Sequence, residues 1–236
     1  MKILGIDSSG MVAGAAVVAD DIVLAEYNVN FKKTHSETLL PMIDEIVRMT
    51  ELDLEEIDAI AVAAGPGSFT GLRIGSATVK GLGLALSKDI IPVPTCHGLA
   101  YNLWGAKGLV CPIMDARRNQ VYTGIYEFKD DELVVLCEQK AVDIKDLLKE
   151  LATMKKNVTF LGDGVPVYKD VIEENAAFDF KLAPAHMNRQ RAASIAALGA
   201  VYYAKGMTEP AEEHHPIYLR KSQAERDREE KGLDAD

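Results

Sequence analysis

The segment GPGSFTGLRIG, residues 65–75, constrains the fold more than any other stretch of the chain. It follows an apolar run, IAVAA, that predicts a buried strand. Pro66 and the flanking glycines end this strand and turn the chain. Ser68 or Thr70 can then cap a new helix by accepting a hydrogen bond from a free amide, and we expect this helix to continue to about Ser87.

The composition of this predicted helix is unusual because it includes several interior glycines, each of which costs about 1 kcal/mol relative to alanine. Gly71 and Gly75 lie one turn apart and leave a groove that another backbone can approach closely. Arg73 and Lys80 are seven residues apart and share one face. Bulky apolar residues occupy most of the remaining circumference, so we expect other parts of a protein to cover the helix.

A glycine-rich loop before a helix is also a potential anion site, because free amides and the helix dipole point at the ligand. The P-loop pattern ends in Gly-Lys-Ser or Gly-Lys-Thr, whereas this loop ends in Gly-Leu-Arg. Both interpretations stay open on the sequence alone, and helix packing is the one that we favour.

The net charge of −10 argues against an extensive nucleic-acid surface, because phosphate binding depends on clustered lysine and arginine. No apolar run approaches the roughly 20 residues that a membrane-spanning helix needs, and the first residues resemble a strand rather than a signal peptide. Cys96, Cys111 and Cys137 are widely spaced and odd in number, which indicates a reducing compartment. We therefore expect a cytoplasmic protein that reaches any nucleic acid through a partner.

Two similar strand meanders divide the chain. The first lies within residues 2–29 and precedes an amphipathic helix at residues 35–50, where Thr34 and Glu37 stand at capping-box spacing. The second begins near residue 109 and also precedes a helix. This repetition predicts an α/β protein in which two mixed-sheet lobes are flanked by helices, the layout of the duplicated actin-like fold of ASKHA proteins, which is ribonuclease H-like.

The predicted division places a first lobe at residues 1–104 and a more degenerate second lobe at residues 105–220. Within the second lobe, residues 216–220 predict a short extended piece. Residues 221–236 are almost all charged or polar, and this composition favours a frayed helix and disorder equally.

Asp7 and Asp115 end the first strand of the two meanders and are the best candidates for an acid pair across a cleft. In actin-like ATPases the matching acids hold the metal–nucleotide complex through water. The alternative is a turn residue that caps its own loop. Ser8 and Ser9 give a weak phosphate-loop signal, while the second turn, Asp-Ala-Arg, lacks the glycine that lets a backbone approach phosphate.

The remaining polar motifs give weaker signals. Gly162 and Gly164 flank Asp163 in a turn that could stand near an adenine, although the aspartate would repel phosphates. No two histidines have the spacing that places two ligands on one helical face, so we expect no histidine metal site. His35 is expected to be a polar cap or contact residue. Peptidase action ranks last, because Thr70 replaces the last glycine of the Gly-x-Ser-x-Gly motif.

Several motifs together resemble the TsaB family, also called YeaZ. They are the IDSS start, HS before LLP, the GPGSFTGLRIG segment, DARR followed by VY, the GDG turn, and PIYLR near residue 220. The resemblance spans nearly the whole chain except the charged tail. It implies the duplicated actin-like fold and a role in forming N6-threonylcarbamoyladenosine (t6A) at position 37 of tRNAs that read ANN codons.

The resemblance also implies partners. In this family TsaB is regarded as a non-catalytic scaffold that pairs with the catalytic paralogue TsaD, acts together with the ATPase TsaE, and can form a homodimer through the same surface. The His-x-x-x-His metal motif of TsaD is missing here. We therefore expect no catalytic activity of its own and no required cofactor, with weak binding of ATP or ADP with magnesium left open. Contact with tRNA would occur only through the complex.

The two helices of the first lobe carry more apolar and small-residue surface than one sheet covers, which indicates an association surface. The interface residues we expect are Leu39, Met42, Ile46 and Met49 in the first helix, and Gly71, Leu72, Arg73, Gly75, Val79 and Lys80 in the second. The alternative function is an ATP-binding enzyme of the ATPase or kinase type. Its nucleotide would be bound by Asp7, Ser8, Ser9, Asp115, Gly162 and Gly164.

Overall fold

The computed structural model describes residues 1–31 and 34–220. The elements of the first half are β1 (Lys2–Asp7), β2 (Ala13–Ala19), β3 (Ile22–Val29), α1 (His35–Thr50), a 3-10 turn (Leu54–Glu56), β4 (Ala59–Gly65), α2 (Phe69–Leu86), β5 (Ile90–Pro94) and α3 (Thr95–Tyr101). Those of the second half are β6 (Leu109–Asp115), β7 (Gln120–Lys129), β8 (Glu132–Asp143), α4 (Ile144–Thr153), β9 (Val158–Leu161), α5 (Gly164–Asn175), β10 (Phe180–Leu182) and α6 (Ala192–Ala204).

The two halves contain sheets of the same topology. The first sheet has the strand order β3-β2-β1-β4-β5, and the second has the order β8-β7-β6-β9-β10. In each sheet the central strand, β1 or β6, pairs antiparallel with the next strand and parallel with the strand that follows the first long helix. The duplicated actin-like architecture predicted from the sequence is therefore confirmed.

Helix α1 has the predicted bounds, but it begins without the predicted capping box. The side chain of Thr34 makes no capping hydrogen bond. The first turn closes instead through the backbone, where the amide of Glu37 donates to the carbonyl of Thr34 at 3.0 Å. The helix packs on β2 and β3 through a buried apolar stripe, so packing rather than capping determines its position.

The last helix of each half packs across the molecule. Helix α3 contacts β6 and β7 of the second sheet, and α6 contacts β1, β2, β4 and β5 of the first. The contact between α6 and β1 requires a glycine, because a Cβ atom on Gly5 would lie 2.6 Å from the carbonyl oxygen of Ala192. Residue 104 lies between the two sheets, and α6, which follows the second sheet in the chain, packs on the first.

The segment that follows α6 also returns to the first lobe. We call residues 207–220 the strap. Glu209 and Ile90 exchange two backbone hydrogen bonds of 2.9 Å at the outer edge of β5. Farther along, the amide of Ile217 donates to the carbonyl of Ala64 at 2.6 Å. The predicted extended piece thus meets the end of β4 without forming a strand, and the predicted tail at 221–236 lies outside the described residues.

Over residues 1–31 and 34–220, the structure includes no helix with both the length and the apolar character needed to cross a bilayer.

Candidate functional site

A cleft of about 390 Å³ lies between the two lobes. It is lined by Ser9, Gly10, Met11, Gly67, Ser68 and Phe69 from the first lobe, by Met114, Asp115, Ala116, Arg117, Tyr122 and Asp163 from the second, and by Arg220 of the strap. Of the residues predicted to bind a nucleotide, Ser9 and Asp115 therefore line the cleft. The other four, Asp7, Ser8, Gly162 and Gly164, do not.

Asp7 does not line the cleft and is only 2% exposed. Its Oδ1 atom accepts hydrogen bonds from the amide of Ser9 at 2.9 Å and from the hydroxyl of Ser9 at 2.6 Å. Burial raises the pKa of Asp7 to about 6, while the two bonds from Ser9 act in the opposite direction. Asp7 thus caps its own turn, which is the alternative that the sequence left open.

The Asp7 turn packs closely against the start of α2. The hydroxyl of Ser8 donates to the carbonyl of Gly71 at 2.8 Å. A Cβ atom on Gly71 would lie 2.1 Å from the carbonyl oxygen of Ser8, and one on Gly75 would lie 2.3 Å from the hydroxyl oxygen of Ser8. The close approach predicted for these glycines is therefore present, to backbone at Gly71 and to a side chain at Gly75, but in both cases the contact is with the same chain.

Ser68 is the residue that caps α2. Its hydroxyl oxygen accepts a hydrogen bond from the amide of Gly71 at 3.3 Å, so the cap lies within the cleft wall. The amide of Ser68 is itself used, because it donates to the carbonyl of Ser9 at 2.7 Å. One of the backbone amides that a glycine-rich loop could offer to an anion is thus already bonded to the Asp7 turn.

The second turn, which begins at Asp115, is more open. The Oδ1 atom of Asp115 accepts hydrogen bonds from the amide of Arg117 at 2.8 Å and from the hydroxyl of Tyr168 at 3.2 Å. The guanidinium of Arg117 lies 3.5 Å from the other carboxylate oxygen. Arg117, Arg118 and Asn119 have φ angles of 65°, 56° and 59°, so the turn continues through three left-handed residues. This side of the cleft presents an ion pair to solvent.

Asp163 lies beside the Asp115 turn, where its Oδ1 atom accepts the amide of Asp115 at 3.3 Å. Burial raises the pKa of Asp163. The preceding Gly162 has a φ of 109°, and a Cβ atom there would lie 2.2 Å from the carbonyl oxygen of Ile113. Gly162 is thus required for close packing against β6, and no contact with a nucleotide is needed to explain it.

The predicted interface residues of α1 are mostly in the core. Leu39, Met42 and Ile46 are 1%, 3% and 3% exposed and pack into the first lobe. Met49 is 66% exposed. Leu40, which the predicted interface did not include, is 55% exposed. The prediction that Leu39, Met42 and Ile46 contact a partner is therefore wrong for this conformation, because their spacing of three and four residues directs them to the sheet.

The same correction applies to part of α2. Leu72 and Val79 are buried in the core, and Gly71 and Gly75 are covered by the Asp7 turn. Arg73 is exposed.

The outer face of α2 is formed by different residues. Ala77 and Gly81 are exposed, and Leu84 is 59% exposed. A Cβ atom on Gly81 would have no heavy atom within 4 Å. Lys80 is only partly exposed, because its ammonium group donates to strap carbonyls at 2.8 and 3.2 Å. The small residues of this outer face permit the close approach of another helix.

The strap adds aromatic contacts at the start of α2. The ring of Tyr218 stacks on that of Phe69, with centroids 4.5 Å apart and planes inclined by 4°. The guanidinium carbon of Arg73 lies 6.0 Å from both ring centroids, and Nε of Arg73 donates to the hydroxyl of Tyr218 at 3.3 Å. The guanidinium of Arg220 then donates to the carbonyl of Ala116 in the second lobe.

Comparison with known proteins gives a consistent result. Residues 24–227 match the family model described as TsaD: tRNA N6-adenosine threonylcarbamoyltransferase. The chain is 35% identical to the tRNA threonylcarbamoyladenosine biosynthesis protein TsaB of Bacillus subtilis (strain 168), over 95% of this chain and 96% of that protein. The chain belongs to the TsaB family. It is also 28% identical to the TsaB protein of Escherichia coli (strain K12), over 95% of this chain and 96% of that protein.

Solved structures support the fold of this TsaB-family chain. YeaZ from Pseudomonas aeruginosa superposes with a TM-score of 0.76 at 24% identity, over 92% of this chain and 99% of that one. An inorganic polyphosphate/ATP-glucomannokinase from Arthrobacter sp. strain KM superposes with a TM-score of 0.51 at 13% identity, over 86% of this chain and 99% of that one. These structures confirm the predicted fold, and the relative in Bacillus subtilis confirms the family resemblance deduced from the motifs.

The interface residues predicted from the sequence do not include the outer residues of this TsaB-family chain. Exposed apolar or small residues lie on α1 at Leu40 and on α2 at Ala77, Gly81 and Leu84. On the strap, Tyr218 is also exposed. The motif PIYLR was the available signal for the strap, because it combines aromatic, apolar and cationic side chains close to the end of the predicted fold. Its contact with Phe69 joins residues 149 positions apart in the sequence, which no local pattern can indicate.

Proposed function

We propose that this protein is a non-catalytic partner of a TsaD-type transferase in the formation of t6A at position 37 of tRNAs that read ANN codons. In this assembly it acts with a TsaE-type ATPase in the cytoplasm and reaches tRNA only through its partners. Membership of the TsaB family supports the pathway, since the relatives in Bacillus subtilis and Escherichia coli are described as tRNA threonylcarbamoyladenosine biosynthesis proteins.

The observation that carries the non-catalytic role is the burial of Asp7. A metal–nucleotide complex held between two carboxylates through water requires that both carboxylates reach solvent. Asp7 is 2% exposed and bonded twice to Ser9, whereas Asp115 lines the cleft. The residues present therefore do not fit a metal bridge between the two acids unless the Asp7 turn leaves α2.

The surface that supports a partner role is the outer face of α2. Ala77 and Gly81 leave space for a neighbouring helix, and Leu84 offers an apolar side chain that is 59% exposed. Leu40 and Met49 of α1 are also exposed, but they are nine residues apart and therefore lie on opposite sides of that helix. In the absence of a partner, two copies of the chain associate through the same surface.

The direct experiment measures binding of the purified chain to the TsaD homologue of the same organism by calorimetry. The variant Leu84→Glu is expected to weaken the complex at least tenfold, because it places a charge in a desolvated helix contact. Val167→Glu is the matched control, since Val167 is 56% exposed on α5 of the second lobe. Supplied with tRNA and threonylcarbamoyl-adenylate, which donates the group and releases AMP, the TsaD homologue should form t6A only when the wild-type chain and the TsaE homologue are added. No binding of the wild-type chain to the TsaD homologue would refute the proposal.

One observation favours a second candidate function, ATP binding in the cleft. Ser68, Asp115, Arg117 and Arg220 line a volume of about 390 Å³ and supply both signs of charge. Calorimetry with ATP and magnesium at millimolar concentration tests this function directly. Heat that is lost in Asp115→Asn would support it, and the absence of heat from the wild-type chain would remove it.

A further inference from the structure

Strand β3 forms an open, apolar edge of the first sheet. Over residues 1–31 and 34–220, its backbone pairs with β2 alone, so the outer side of the strand has no neighbouring strand. Exposed apolar side chains are concentrated at this edge and just beyond it, at Ile22, Val23, Leu24, Tyr27 and Phe31. An exposed edge of this kind can take up a further strand through backbone hydrogen bonds.

The corresponding edge of the second sheet, β8, is protected in a way that β3 is not. β8 carries charged side chains, among them Glu132, Glu138 and Lys140, and such charges are a usual means of keeping an edge from pairing. β3 contains no lysine, arginine or proline. Its one charged residue, Glu26, is bonded to Arg191. The duplicated sheets therefore differ at this edge, and only β3 lacks a free charge.

A groove of about 440 Å³ lies between β3 and α1. Its apolar lining comes from Tyr27 and Val29 on the strand and from Pro41 and Met42 on the helix. The bulge in the pairing of β2 with β3 falls at Leu24, so residues 25–29 are the regular part of the edge beside the groove. A strand added to this edge would direct alternate side chains into the groove, against α1.

The helix side of the groove offers hydrogen-bond acceptors. Glu37 is exposed, and its carboxylate has no bonded partner among the described residues. Pro41 has no amide, so the carbonyl of Glu37 also lacks its usual helical partner. Glu45 is bonded to Arg48, and none of the described residues that line the groove is basic. Over α1 the charge is −3 + 1 = −2, which is complementary to a lysine or arginine on a bound strand.

Two other occupants fit this charge less well. Residues 221–236 of the chain include four basic and six acidic residues, a net charge of 4 − 6 = −2, and Leu233 is their only large apolar residue. A second copy that paired through β3 would bring another α1 of the same negative charge to the same edge. The observations therefore favour a segment of a different protein.

We propose that the edge of β3 and the groove beside α1 bind an extended peptide segment of another protein by strand addition. The segment has apolar side chains at alternate positions and a lysine or arginine that lies against Glu37. This inference goes beyond the proposed function, and its site is separate from the outer face of α2.

The test begins with a displayed library of random peptides of about nine residues, the length of a long strand, selected on the full-length chain. We expect enriched sequences with an apolar residue at every second position and a basic residue. In fluorescence anisotropy, Tyr27→Glu and Glu37→Lys should each raise the Kd of the enriched peptide roughly tenfold or more. Leu136→Glu, at an exposed apolar residue of β8, and Leu84→Glu on α2 are matched controls and should stay within about twofold of wild type.

A second readout is specific to backbone pairing. Successive amides of a strand point to opposite sides, so N-methylation of one alternating set in the peptide should abolish binding, whereas N-methylation of the other set should not. The Kd of the wild-type chain should rise with added NaCl more steeply than that of Glu37→Gln, because salt screens an exposed ion pair.

A further variant removes Lys32 and Lys33, which precede α1 in the sequence and lie outside the described residues. The double substitution Lys32→Ser and Lys33→Ser should leave the peptide bound at least as tightly, because Glu37 selects its charge. A tenfold loss would overturn the assignment to Glu37.

The proposal fails if the wild-type chain enriches no peptide, or if both N-methylated peptides bind equally well. It also fails if Tyr27→Glu and Glu37→Lys bind the enriched peptide within twofold of wild type. Should Tyr27→Glu not fold, Glu37→Lys decides, because this exposed side chain has no bonded partner among the described residues.

Discussion

The turns that follow β1 and β6 start in the same way and end differently. In both, an aspartate accepts a hydrogen bond from the amide two residues later, at 2.9 Å for Asp7 and 2.8 Å for Asp115. The first turn is then covered by α2, so that Ser8 and Ser9 are fully buried. The second turn continues through left-handed residues, and Arg117 has a side chain that is 87% exposed.

The difference shows how a duplicated sheet can acquire two distinct surfaces. The strand order is the same in both halves, whereas the turns after β1 and β6 and the helices that contact them differ. The glycines of helix α2 let the first turn pack directly against the helix, so this turn is part of the core. Helix α5 offers the hydroxyl of Tyr168 to the second turn, which stays at the cleft. One acid of the pair is therefore buried, and the other lines the cleft.

The largest effect is expected from adding a methyl group between the first turn and α2. Gly71→Ala would place a Cβ atom 2.1 Å from the backbone oxygen of Ser8, which cannot rotate away. We expect a loss of about 3 kcal/mol or more in the free energy of unfolding, at the upper end of overpacking costs. Urea unfolding followed by circular dichroism measures this change.

Gly81→Ala is the control within the same helix. It adds the same methyl group where no heavy atom lies within 4 Å, so the helix propensity of alanine should stabilise the chain by about 1 kcal/mol. Equal effects of the two substitutions would show that the first turn does not pack against α2 as described. Gly75 was also expected at the interface, but Gly75→Leu would disturb the same turn and would report on folding rather than on association.

Removing the charge of the buried acid sharpens the comparison between the two turns. Asp7→Asn keeps an oxygen that can accept the bonds from Ser9. The pKa of Asp7 is raised from 3.8 to about 6, so its protonation stabilises the folded state fully below pH 3.8, and this contribution is lost as the pH rises through about 6. At pH 8 we expect the variant to be more stable than wild type by up to about 3 kcal/mol.

The measurement is the free energy of unfolding of both proteins between pH 4 and pH 8. The difference should be near zero at pH 4 and grow as the pH rises. Asp115→Asn, the same change at the exposed turn, should alter stability by less than about 1 kcal/mol. If the wild-type chain were more stable than Asp7→Asn at pH 8, the ionised carboxylate of Asp7 would not be destabilised by its burial.

The sequence predicted the elements better than their faces. The bounds of α1 follow from its apolar periodicity, and the start of α2 follows from Ser68. The inward face of α2 did not follow, because the helix is apolar nearly all round and periodicity cannot distinguish core from surface there. The glycines indicated a close approach, but a sequence does not say whether the approaching backbone is the chain's own.

Helix α3 and strand β10 were not predicted from the sequence, for a related reason. Helix α3 has only seven residues, and β10 has only three, so neither shows a period. Both are held by tertiary contacts, α3 with the second sheet and β10 with β9. The candidate site was predicted only in outline. Asp115 lines the cleft, whereas Ser9 borders it but is fully buried and bonded to Asp7, and the burial of this turn depends on its contact with α2.

The smallest expected effect concerns the helices that follow β4 and β9. Ser68 caps α2 with its side chain, whereas Asp163, at the same place before α5, makes no capping bond to its own helix. Ser68→Ala should therefore lower the free energy of unfolding by about 1 kcal/mol. Thr34→Ala at the start of α1, where the side chain also makes no capping bond, should cost no more than a few tenths of that amount. Equal losses in urea unfolding for the two variants would mean that the hydroxyl of Ser68 does not stabilise α2, and that the first turn alone determines where this helix begins.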